Sequence, residues 1–152
     1  MVESEGKQPL GQNKSLRDPA YTNTLDRKWL AAIRARFADK EDIGRECVFE
    51  RYFAKEGLPK EDVFECFDLI ETEYGYIGGL LRPEDSLDKL FEPVSTKNPF
   101  HWAGYRIMAG DRQLWFGEEL DKRMRKHGTY GAWPRINTIG DFVRAWCGRE
   151  PS

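Results

Sequence analysis

The stretch that most limits what this chain can fold into is Leu58–Gly75. Val63, Phe64, Cys66, Phe67, Ile70 and Tyr74 recur there at helical spacing, while Asp62, Glu65, Asp68, Glu71 and Glu73 fill much of the other side. Pro59 suits the start of a helix, because its missing N–H lies where a helix has no internal acceptor. Glu61 and Asp62 follow at the positive end of the dipole. Gly75 stops the run, and Gly78-Gly79 supplies a flexible corner. A helix of this kind has one apolar face and must bury it against other elements.

The rest of the chain offers further helices. Trp29, Leu30, Ile33 and Phe37 form a helical stripe behind Asn23 or Thr24 as cap, with Arg27, Lys28, Arg34 and Arg36 on the opposite, solvated face. A second helix is expected over about 40–56, with Ile43, Cys47, Val48, Phe49, Tyr52 and Phe53 as its apolar set and Gly57 after it. Pro83 starts a short turn carrying Leu87, Leu90 and Phe91 inward. Pro99, Gly104 and Gly110 then predict an irregular segment over 94–110, with at most a short strand at Tyr105–Ala109.

Asp111 is expected to cap a helix running to about Lys126, in which Phe116, Leu120 and Met124 lie one turn apart and Gly117 is a cost. Thr138 caps a last helix bearing Ile139, Phe142, Val143 and Trp146. Asp141, three residues on, can return the hydrogen bond as in a capping box.

The predicted fold is therefore all-α. The 152 residues divide into a polar arm (1–22), a helical pair packing on the core (23–57), a helical unit (58–148) interrupted at about 93–110, and a short tail (149–152). Aromatic residues make up 13% of the chain, too many for a disordered polymer despite 33% charged residues. Residues 46–98 hold 13 acidic and 6 basic side chains, and both flanks are mildly basic. That pattern permits either internal pairing or a partner with a basic docking surface. A net charge of −2 gives no footing for nucleic acid.

Three cysteines without a CxxC pair argue against a disulfide framework and against zinc; Cys47 and Cys66 are expected as buried free thiols, in keeping with a cytoplasmic setting. No secretory leader is expected behind Met1–Lys7, and no apolar run is long enough to span a bilayer.

Two stretches carry a resemblance to a known family. Leu81-Arg-Pro-Glu-Asp-Ser-Leu-Asp-Lys-Leu90 is similar to the loop and buried turn after the first helix of an acyl carrier protein. Ile136-Asn-Thr-Ile-Gly-Asp-Phe-Val-Arg-Ala-Trp146 is similar to the opening of that family's last helix. The resemblance covers 59–148 and implies an acyl-carrier-like four-helix bundle, here with two additional N-terminal helices.

It also implies a carrier serine holding 4'-phosphopantetheine. Counting from the first stretch places that serine at Ser95; counting from the second places it near Arg112, because of the insertion between them. Asp85-Ser86-Leu87 matches the carrier tripeptide but stands early in the pattern.

The leading expectation is a non-enzymatic carrier-like domain that acts as a protein-interaction module and holds no cofactor. The aromatic insertion either fills the cleft where the prosthetic group would enter or forms a binding surface of Phe100, Trp102, Tyr105 and Arg106. The alternative is a carrier with 4'-phosphopantetheine on Ser95 or Ser86. A weaker alternative is an enzyme using His101. His127 sits where a helix C-terminus suits a charged imidazole. No metal site is expected, since the carboxylates of Pro59–Tyr74 lie along one exposed helix.

Overall fold

A computed structural model describes residues 24–128 and 135–149. Six α-helices follow one another: α1 (Thr24–Arg36), α2 (Arg45–Tyr52), α3 (Lys60–Tyr74), α4 (Asp88–Phe91), α5 (Pro99–His127) and α6 (Ile139–Trp146). Short 3-10 turns lie at Ala54–Glu56 and Gly78–Leu80. Among the described residues there is no strand, only a single antiparallel bridge between Ser86 and Thr138. The fold is all-α, as expected. The whole polar arm (1–22) lies outside the described residues, as do Asn23 and the end of the tail.

One hydrophobic core runs through the molecule. Trp29 and Ile33 of α1 and Phe37 just after it join Val63, Cys66, Phe67, Ile70 and Tyr74 of α3, and α5 and α6 close over them. Phe116 lies near its centre, stacked on Phe142 at 4.9 Å and edge-on to Tyr74 at 5.6 Å and Phe91 at 5.9 Å. Aromatic pairs at such distances add to the burial energy of each ring.

The largest correction to the sequence reading is α5. Residues 94–98 are irregular as expected, but 99–110 is not part of an insertion ending at a capped Asp111, and Tyr105–Ala109 is not a strand. A single 29-residue helix runs from Pro99 to His127. Pro99 stands at its first position, where proline starts a helix rather than breaking it. Asn98 caps that start: its side-chain oxygen accepts from His101 N at 3.3 Å, and its carbonyl accepts from Trp102 N at 2.8 Å.

Three internal glycines each cost roughly 1 kcal/mol against alanine. The buried stripe of Tyr105, Ala109, Arg112, Phe116, Leu120 and Met124 outweighs them.

Other boundaries shift less. The second helix is shorter than 40–56: Arg45–Tyr52, followed by a 3-10 turn that ends in Gly57 at φ 77°. Pro59 is the N-cap of α3, and Gly75 ends it at φ 90°. The predicted capping box at α6 is present in full, with Asp141 N donating to Thr138 Oγ1 and Thr138 N donating to the Asp141 carboxylate.

The acidic face of α3 is less solvated than the sequence suggests. Arg45 bridges Asp68 at 2.9 Å and Glu71 at 3.3 Å while lying over the Phe64 ring. Arg123 of α5 reaches Glu65 at 2.8 Å and Asp62 at 3.6 Å, and Arg112 approaches Glu73 at 3.8 Å. The chain's own basic flanks thus neutralise its acidic middle. Nor is the basic face of α1 wholly solvated: Arg36 donates to the carbonyls of Lys89 and Pro93, and Arg34 to that of Tyr76.

Candidate functional site

Two parts of the molecule are built from unusual residue choices. The first is the corner between α3 and α4. Arg82 is buried and donates to the carbonyls of Gly79, Leu81 and Glu41. Asp85 is also buried; it accepts from Arg82 N at 3.0 Å, Lys40 Nζ at 2.7 Å and Lys89 Nζ at 3.3 Å. Burial opposes the Lys40 charge, but the Asp85 carboxylate outweighs it and the Lys40 pKa is raised.

The corner backbone then pairs with the opening of α6. Leu87 N donates to Asn137 O, Ile139 N to Asp85 O and Gly140 N to Pro83 O. Every polar group in this corner that the structure describes as buried is met from within the chain, which makes it a structural lock. The sequence marks Asp85 only as part of the Asp85-Ser86-Leu87 tripeptide behind Pro83. Lys40 lies 45 residues away, so its half of the lock left no local signal.

The second part is the outward side of α5. Ile107 and Leu114 are exposed there, at 65% and 64%; Trp102, near the start of α5, is 50% exposed. Arg106 lies 5.0 Å over the Trp102 ring. Along the C-terminal half runs an open groove of about 440 Å³, lined by Phe91 and Phe142, by Gly110, Gly117 and Leu114, and by the polar Gln113, Glu118 and Asp121. Apolar walls with a polar rim suit an apolar side chain or chain segment from outside.

The sequence-derived candidates distribute as follows. Trp102 and Arg106 stand together, both exposed, in the N-terminal third of α5. Tyr105, three residues on and on the same side of the helix, is buried, 6.1 Å from the Trp29 ring, and offers no surface to a partner. The Phe100 side chain lies outside the described residues. The supposed insertion therefore neither fills a cleft as a whole nor exposes one aromatic patch; as a helix it divides its rings between core and surface.

Ser95 is exposed, four residues ahead of Pro99. Ser86 is exposed in the turn, where its Oγ accepts from Asp88 N at 3.1 Å. Neither serine lines the groove.

His101 is half-buried, its ring 6.2 Å from that of Tyr105. His127 is exposed at the end of α5. The buried thiols are Cys66 and Cys147, while Cys47, expected to be buried, is partly exposed. Burial pushes the Cys66 thiol well up and the Cys147 thiol up to about 12. Both are protonated at neutral pH, and a protonated thiol is a poor nucleophile. Among the described residues, no group of three or more His, Cys, Asp or Glu side chains is placed to hold a metal, and no helix is long and apolar enough to cross a membrane.

Sequence reasoning missed Ile107, Leu114, Gly117 and the groove. The available signal was the heptad spacing of Ile107 with Leu114 and of Gly110 with Gly117, which becomes readable only once the helix is continued through its glycines. Comparison with protein-family models, curated proteins and solved structures finds no match to this chain.

Proposed function

We propose that this protein is a non-enzymatic, carrier-like helical domain whose task is to bind another protein through the outward side of α5. The observation that carries this reading is the exposure of Ile107 and Leu114, seven residues apart on α5, beside an open apolar groove. Large apolar side chains grouped on one face of a helix lower their free energy when a partner covers them. The carrier-like part of the reading draws support from the order of elements: α3, the Leu81–Leu90 corner, a long helix, then a last helix opened by a capping box. The acidic side of α3 is occupied by Arg45, Arg112 and Arg123. The binding surface is accordingly sought on α5 and not on α3.

The test places a photo-crosslinking amino acid at position 107 of the full chain in its native host, with position 55, exposed away from the groove, as control. Protein adducts from 107 and none from 55 are expected. Absence of any protein adduct from 107 rejects the reading.

One observation favours a second reading, an acyl or peptidyl carrier. The long helix does begin just after Ser95, and that serine is exposed. Incubation with coenzyme A and a broad phosphopantetheinyl transferase, followed by intact mass, tests it. A phosphopantetheine adduct lost on Ser95→Ala or Ser86→Ala supports the carrier; an unchanged mass excludes it.

A further inference from the structure

We draw no further inference here: the strongest candidate, the open groove along α5 at Gly110, Leu114 and Gly117, is an unpartnered apolar face, and nothing in the structure shows what covers it.

Discussion

The corner between α3 and α4 and the outward side of α5 each depend on glycine, but a side chain would meet opposite surroundings in the two. A Cβ at Gly79 runs into Asp42 Oδ1 and lies 2.6 Å from Gly44 N; at Gly140 it lies 3.0 Å from both Cβ and O of Pro83. At Gly110 and Gly117 it meets nothing within 4 Å. The first pair lets the chain approach itself, and there Gly79 O accepts from Ile43 N while Gly140 N donates to Pro83 O. The second pair leaves room that one copy of the chain does not use. Close packing explains a glycine in the corner; on α5 no contact among the described residues requires one.

The sharpest way to break this comparison is to add one methyl group in the corner. Gly79→Ala is expected to cost about 3 kcal/mol or more, because the obstruction includes backbone and cannot simply rotate away. Urea unfolding monitored by circular dichroism measures it. A cost under about 0.5 kcal/mol, the level of an ordinary surface change, would show that the corner is as loose as the α5 face.

Asp85→Ala comes next. It leaves Arg82 N and Lys40 without their acceptor in a corner where Asp85 itself is buried. Lys40 and Lys89 retain some contact with water, at 21% and 28% side-chain exposure, which softens the loss. The expected destabilisation is about 2–3 kcal/mol by the same unfolding measurement.

How much of this was readable beforehand differs between the two regions for a physical reason. α1, α3 and α6 announce themselves through apolar residues spaced at 3.6 and through their start and stop signals: Pro59, Gly75, Thr138 and Asp141. Those signals act within one turn of the chain. The corner lock depends on Lys40 meeting Asp85 and on Arg82 reaching Glu41 O, contacts that no local pattern encodes.

α5 was misread because Pro99, Gly104 and Gly110 are breakers by local propensity. Burial of Tyr105, Ala109, Phe116 and Leu120 overrides that propensity, and Pro99 stands at the one helical position that tolerates it. Once α5 was cut in two, Ile107 and Leu114 fell in separate pieces and the candidate face could not be assembled. Tyr105 is buried because Trp29, 76 residues earlier in the chain, packs near it, a contact that no local pattern encodes.

The core beneath both regions gives a prediction of intermediate size. Burial raises the pKa of the Cys66 and Cys147 thiols, the latter from 9.0 to about 12, and also raises that of the Tyr74 phenol. In the unfolded chain these groups ionise at their ordinary values. A group whose folded pKa is raised gives its full stabilisation below the unfolded pKa and loses it as the pH climbs toward the folded one. Stability is therefore expected to hold up to about pH 8 and to decline from about pH 9, by roughly 1–2 kcal/mol at pH 10. Lys40 acts in the same direction at higher pH, because Asp85 raises its pKa as well. Unfolding curves between pH 7 and 10.5 test this, and Cys147→Ala should flatten the decline. An unchanged slope in that variant would show that the thiol ionises freely in the folded state.

The smallest expected effect has the opposite sign and sharpens the comparison most. Gly117→Ala adds a methyl group to an open position on a helix, relieving the entropy that glycine loses on folding. It should stabilise the chain by about 0.5–1 kcal/mol, measured by urea unfolding. If Gly117→Ala instead destabilises the isolated chain, the glycine serves the fold after all, and the contrast between the corner and the α5 face collapses.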